Sequence, residues 1–224
     1  MPVNQPIEYK HARVKGFWLA AAQIISDILS PYLLPLYCTA LCFWGTPMVL
    51  SPEGPRFFAM GVVFCISTAL PFLFMALLLR TGKISDMAAS IRKQRVRPFI
   101  FAIVCNSITA FYLYYVNAPW WIPVFFIGSV AAMIIVLLIS LKWKISAHAT
   151  GMGGVVGLSM WLCLTGLLLF NAMTWMIAVI LLAGLVGSSR VALGRHTPGQ
   201  VYAGWIVGFI SIFGVLVIAT NILR

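Results

Sequence analysis

Residues 189–200 read SRVALGRHTPGQ and separate two long apolar stretches, at about 174–187 and 201–223. The segment contains two arginines and His196, one of only three histidines in the chain. Ionisable residues between apolar spans are rare unless they are used for binding or catalysis. We therefore treat His196 as a candidate nucleophile toward a phosphate ester.

The composition is that of a membrane protein. Hydrophobic residues make up 62% of the chain, charged residues 8%, and the mean hydropathy is +1.02, which together exclude an ordinary soluble domain. The apolar runs lack the strict alternation of β-barrel strands. We predict an all-α, polytopic transmembrane helical bundle of about six to seven spans, forming a single integral membrane domain over residues 1–224.

The polar breaks set the predicted topology. An N-terminal segment, 1–30, contains an interfacial or tilted helix at about 17–29, which leads into a first span ending near Pro47. Further spans are predicted at about 57–80, 99–116, 121–141, 152–170, 174–187 and 201–223. Two crossings separate the polar segment 81–98 from 142–151, and two more separate that from 189–200. All three segments are therefore expected on one side of the membrane.

The charge balance points to anionic partners. The net charge is +11, from 15 Lys and Arg against 4 acids, and the bases lie at the ends of spans. Membrane lipids and a phosphate-bearing substrate are expected partners, and nucleic acid is not. Lys10, Arg13 and Lys15 favour a cytoplasmic N-terminus, and the even number of crossings then makes the polar face cytoplasmic. We expect a multi-pass protein of the bacterial inner membrane.

The polar face combines bases with two histidines. Arginine binds phosphate oxygens in bidentate fashion, and the N–H groups at helix starts can add to this. One imidazole can attack phosphorus while a second protonates the departing oxygen. The five cysteines lie within apolar runs and predict neither a disulfide nor a metal site. The candidate residues on this face are Arg92, Lys93, Arg95, Arg97, Lys144, Ser146, His148, Ser189, Arg190, Arg195 and His196.

This pattern resembles the type 2 phosphatidic acid phosphatases, which share their catalytic core with vanadium haloperoxidases. The family motifs are K-x6-R-P, P-S-G-H and S-R-x5-H-x3-D. Ser189-Arg190 and His196 match the third motif in order and spacing. Ser146-Ala147-His148 resembles the second, with Ile145 and Ala147 in place of proline and glycine, and Arg97-Pro98 resembles the end of the first. Ser90 occupies the lysine position of the first motif, so Arg92 or Lys93 is the candidate substitute. The likeness covers roughly residues 83–204.

The resemblance implies a phosphohistidine mechanism without a metal ion or other cofactor. His196 would be the nucleophile and His148 the general acid. The phosphoryl oxygens would be bound by Arg97, Arg190 and Ser146. Gln200 replaces the family's aspartate; its carbonyl can accept the ring N–H and fix the tautomer, but it supplies no negative charge. We therefore expect slower chemistry or a lost activity.

The function implied is hydrolysis of a phosphomonoester or diphosphate on a lipid or isoprenoid. Two alternatives remain open: a catalytically impaired protein that binds lipid phosphates or acts as a membrane scaffold, and a phosphotransferase that passes the phosphoryl group to another lipid. The sequence does not select one lipid phosphate, and it predicts no oligomeric state.

Overall fold

The structure, a computed structural model, describes residues 12–86 and 91–223, apart from the side chains of Arg92 and Lys93. Within these ranges, six helical segments are long and apolar enough to cross a membrane, so the predicted polytopic helical bundle is confirmed. The helices are α1 (Gly16–Ile28), α2 (Leu34–Trp44), α3 (Glu53–Val63), α4 (Leu70–Arg80), α5 (Val96–Tyr115), α6 (Trp121–Ser140), α7 (Ala147–Leu164), α8 (Ala172–Ala192) and α9 (Pro198–Leu223).

The N-terminal part consists of two short helices, α1 and α2, instead of one long spanning helix. Pro31 follows α1, and the short α2 begins beside Gly151 in the first turns of α7. At its other end, the Gly45 carbonyl accepts the N–H of Leu169, in the loop after α7, at 2.9 Å. The short α2 thus covers nearly the depth of α7. The first span expected up to Pro47 is therefore shorter than predicted, and it is preceded by the separate helix α1.

A π-helical segment, Phe64–Ala69, joins α3 and α4 into one span. Its cause is Pro71, which has no N–H to donate and whose ring excludes the carbonyl one turn earlier. The N–H of Leu70 consequently bonds to the Cys65 carbonyl, five residues back. The widened turn brings Ser67 to α5, where its Oγ lies 2.8 Å from Thr109 Oγ1.

Helices α7 and α9 pack at backbone distance. A Cβ at Gly208 would overlap the carbonyl oxygen of Thr150, and one at Gly153 would overlap that of Trp205. Only glycine permits this approach. The contact fixes the starts of α7 and α9 side by side.

Several helix boundaries differ from the sequence prediction, and the span expected to end at residue 170 ends at Leu164. The span expected at 174–187 continues to Ala192, because the Arg190 side chain is buried inside the bundle rather than exposed in a polar break. The span expected at 152–170 begins earlier, at Ala147, where Ser146 caps the helix. The break between α8 and α9 is thus only residues 193–197. The largest apolar core lies toward the opposite end of the bundle, around Trp121, Phe126 and Trp161.

Candidate active site

His196 lies in the turn between α8 and α9. The Arg190 carbonyl accepts the N–H of Arg195 at 3.1 Å and that of His196 at 3.3 Å, so the chain folds back over the end of α8. Gly194, with φ +65°, supplies the left-handed conformation that this reversal requires. The turn holds His196 against the bundle, where it is only 6% exposed.

Gln200 links His196 to the first turn of α9. Its Oε1 accepts the Thr197 N–H at 3.3 Å, while Thr197 Oγ1 accepts the Gln200 N–H at 3.4 Å. This reciprocal pair is the capping box of a helix start. The same Oε1 lies 3.0 Å from His196 Nδ1. Because a side-chain amide oxygen only accepts, Nδ1 carries the hydrogen, and Nε2 of the neutral ring keeps its lone pair.

The surroundings hold His196 in its neutral form. Burial lowers the pKa of its imidazole to about 2, and the positive charges of Arg190, Arg95 and Lys144 add to this effect. The hydrogen bond to Gln200 acts in the opposite direction but is outweighed. At neutral pH the ring therefore has an unprotonated Nε2, the form required of a nucleophile.

The second predicted segment lies beside the first. Ser146 caps α7, with its Oγ accepting the Ala149 N–H at 3.3 Å, and its own N–H donates to the Gln200 carbonyl at 3.2 Å. Its hydroxyl is thus engaged at the helix start and is fully buried. His148, two residues later, lines the same cavity as His196. The two predicted histidines are brought together.

Arg190 is buried between α8 and α1. Its Nη1 donates to Ser26 Oγ at 2.6 Å, and both side chains are at most 4% exposed. Its Nε has no hydrogen-bond partner among the described residues. A guanidinium left with an unused donor at a cavity wall is suited to an anionic ligand, because an unmet buried donor is costly.

The first predicted motif is placed differently from the expectation. Arg97 is exposed on the first turn of α5, whereas Arg95 is 4% exposed and lines the cavity. Residues two apart on a helix face different directions, so only one of these side chains can face inward. Arg95 Nη1 donates to the Ile145 carbonyl at 2.7 Å, which ties the segment before α5 to the segment before α7. The side chains of Arg92 and Lys93 lie outside the described residues.

Two further ionisable groups adjoin this centre. Burial lowers the pKa of Lys144 to about 8, and the charges of Arg95, Arg190 and Arg195 contribute. Asp86 Oδ1 lies 4.0 Å from Arg195 Nη1, so this acid is paired with an arginine. The centre therefore combines several cations with little negative charge.

The histidines and arginines form one end of a cavity of about 1190 Å³, a volume that includes its open mouth. Arg95, His148, Arg190 and His196 belong to its wall, and the remainder is mainly apolar. The apolar lining includes Leu34, Phe99, Ala102, Phe125, Met133, Val136, Val155 and Ile212. The shape and chemistry fit an amphiphile with an anionic head.

A second opening reaches the same centre from the side of the bundle. His148 and Arg190 also line this space, together with Tyr32, Asp86 and polar residues of α1. Its outer wall carries Phe64, Phe72 and Leu73, which are exposed on the outer face of a membrane-spanning helix. The centre therefore also opens toward an apolar outer face of the bundle.

Several contributors to this centre had no role assigned from the sequence. Ser26 lies in α1, far from any motif, and Arg95 had been treated only as one base among several. Their burial is a result of tertiary packing, which no local pattern in the sequence indicates. In the described part of the chain, no three His, Cys, Asp or Glu side chains are grouped to hold a metal ion. No protein family model, curated protein or solved structure matches this chain.

Proposed function

We propose that the protein is a lipid phosphatase that works through a phosphohistidine intermediate. The observation that carries the proposal is His196, a buried neutral imidazole with Nδ1 held by Gln200 and Nε2 available, in a cavity shared with His148 and Arg190. The resemblance of the three sequence segments to the type 2 phosphatidic acid phosphatase motifs supports the same conclusion.

The proposed reaction has two displacements at phosphorus. His196 Nε2 forms a bond to phosphorus, the ester P–O bond breaks, and the departing oxygen takes a proton from His148, which enters this step as the imidazolium that the negative charge of the bound phosphate favours. Water then attacks phosphorus while His148 takes its proton, the N–P bond breaks, and inorganic phosphate leaves. Arg190 and Arg95 bind the phosphoryl oxygens, and Lys144 adds positive charge.

The cavity supports the proposed substrate class. Its cationic end suits a phosphomonoester or diphosphate, and its apolar length suits a lipid or isoprenoid chain rather than a soluble sugar phosphate. The basic residues near the N-terminus favour a cytoplasmic site, and a bacterial inner membrane is the proposed location.

The test is a phosphate-release screen over lipid phosphates with purified protein in nanodiscs. His196→Ala is expected to abolish release. Arg190→Lys should reduce it strongly, because lysine cannot make the bidentate contact, and Arg97→Lys is the matched control at an exposed position. Full activity of His196→Ala would rule out the mechanism.

A second candidate is a lipid-phosphate binding protein with impaired catalysis. It is favoured by Gln200, whose oxygen serves the capping box and His196 but supplies no carboxylate charge. Tight binding of alkyl phosphates without turnover across the whole panel would support it. Vanadate-sensitive turnover would exclude it.

A further inference from the structure

The deep part of the cavity contains polar groups in an otherwise apolar wall. Ser67, Asn106 and Ser129 line it, and each lies near the middle of its membrane-spanning helix. Asn106 is about 15 Å along α5 from Val96, at a rise of about 1.5 Å per residue. We call these three residues the acceptor cluster. The phosphate-binding end and the acceptor cluster are thus two polar regions separated along one cavity.

The hydrogen-bond geometry shows what the acceptor cluster offers to a ligand. Ser129 Oγ donates its hydrogen to the Phe125 carbonyl at 3.0 Å. Thr109 Oγ1 donates to the Cys105 carbonyl at 3.0 Å, so in the contact between Ser67 and Thr109 the donor is Ser67. Both serine hydroxyls have therefore used their hydrogens. They present only oxygen lone pairs to the cavity.

Asn106 completes the pattern. Its Nδ2 donates to the Ala102 carbonyl at 2.9 Å, which assigns the amide orientation and directs Oδ1 away from that carbonyl. Oδ1 has no hydrogen-bond partner within the described residues, although the side chain is only 4% exposed. A buried acceptor with no partner is costly in a membrane interior, where lipid supplies no donor. A donor group of a ligand in the cavity could satisfy this oxygen.

We propose that the acceptor cluster binds a hydroxyl group within the apolar chain of a phosphorylated amphiphile. This inference rests on the proposed function, since the phosphate of the same molecule occupies the centre at His196. The distance between the two ends places the hydroxyl well inside the chain, beyond the headgroup and its linkage. A plain hydrocarbon chain would fill the cavity but leave the Asn106 oxygen unpaired.

The probes are octadecylphosphonate and its derivative with a mid-chain hydroxyl, because their P–C bond is not hydrolysed. The dissociation constants of both are measured on the full-length protein in nanodiscs. Wild type is expected to bind the hydroxylated compound about 5-fold more tightly, the effect of one net hydrogen bond. Asn106→Leu removes the acceptor at similar volume and is expected to bring the ratio near 1.

Ser129→Ala is the second variant, and Ser107→Ala is its matched control. Both serines donate to the carbonyl four residues earlier, Ser107 to Ile103 at 2.9 Å, but Ser107 is exposed on the outside of α5. Ser129→Ala should lower the ratio and Ser107→Ala should leave it unchanged. These measurements do not depend on Asn106→Leu folding.

A ratio near 1 in wild type, as expected if only water meets these acceptors, would overturn the inference. The inference would also be overturned if Asn106→Leu and Ser129→Ala both kept the wild-type preference for the hydroxylated phosphonate. The proposed function fails separately: absence of phosphate release with an intact binding ratio would refute hydrolysis and leave the acceptor cluster supported. Phosphate release with a binding ratio near 1 would support hydrolysis and refute the acceptor cluster. If neither phosphonate binds, both the proposed function and the acceptor cluster are refuted.

Discussion

Replacing Gln200 by glutamate exchanges the side-chain amide nitrogen for an oxygen. It thereby places a negative charge beside His196. Glutamate has the same length as glutamine and is itself a preferred residue at this position of a capping box. The contacts to the Thr197 N–H and to His196 Nδ1 can therefore both be retained. The variant isolates the effect of a negative charge 3.0 Å from the ring nitrogen.

The expected change in the rate of phosphate release follows from the positive charge that develops on the His196 ring. When Nε2 bonds to phosphorus while Nδ1 keeps its hydrogen, the imidazole becomes formally cationic. Opposite unit charges about 4 Å apart interact by about 4 kcal/mol at an effective dielectric constant near 20, an upper limit because the carboxylate must also be desolvated. The difference between a charged and a neutral hydrogen bond is about 1 to 1.5 kcal/mol. We therefore expect phosphate release from Gln200→Glu to be about 5-fold to 10-fold faster.

The assay is phosphate release at saturating lipid phosphate, with thermal unfolding measured in parallel. Gln200→Leu is the control that removes both contacts and should be slower than wild type. Gln200→Asp restores the acid of the family motif, but its side chain is one methylene shorter, so it should accelerate less than glutamate. A rate for Gln200→Glu at or below wild type, with unchanged unfolding temperature, would refute the assignment of His196 as the group that gains charge.

Three other changes have defined outcomes. Lys144 loses its proton as pH rises through about 8, whereas a phosphate monoester is already a dianion there. The Michaelis constant for an alkyl phosphate should therefore rise above pH 8, by at most about tenfold per pH unit. Lys144→Gln should flatten this pH profile, and an unchanged profile would contradict a role of Lys144 in binding phosphate. Gly208→Ala should destabilise the protein by about 1 to 3 kcal/mol in thermal unfolding, while Gly214→Ala, where a Cβ meets no atom within 4 Å, should be neutral or stabilising. Ser26→Ala leaves a buried Arg190 donor unmet and should cost about 1 to 3 kcal/mol; no loss would show that another group replaces the hydroxyl.

The fold was largely predictable because its main signals are local. The apolar runs alone indicate the helices, which the structure contains. Small residues four apart, such as Gly153 with Gly157 and Gly204 with Gly208, indicate close helix packing but do not identify the partner helices, which the structure shows to be α7 and α9. The end of α8 was missed because a charged residue usually terminates a span. Arg190 does not, since Ser26 accepts its Nη1 hydrogen inside the bundle. No sequence pattern connects residues so far apart.

The candidate site was predictable where spacing carries the information. The five residues between Arg190 and His196 are those needed to finish α8, reverse the chain at Gly194 and return the ring over the helix end. The choice between Arg95 and Arg97 depends instead on the rotation of α5 about its axis. That rotation is fixed by contacts such as Arg95 with the Ile145 carbonyl, which lie outside the local sequence.

The charge arrangement gives the site its preference for an anion before any chemistry occurs. Arg95, Arg190 and Lys144 are held partly or fully out of water, and the pKa values of Arg95 and Lys144 are lowered mainly by burial. Asp86 lies 4.0 Å from Arg195 and offsets part of the positive charge felt by Arg95 and Lys144. A bound phosphate dianion would supply the missing negative charge and the acceptor for Arg190 Nε at the same time. The cations that are proposed to bind phosphate also keep His196 neutral, so the proposed binding and the availability of Nε2 have one physical cause.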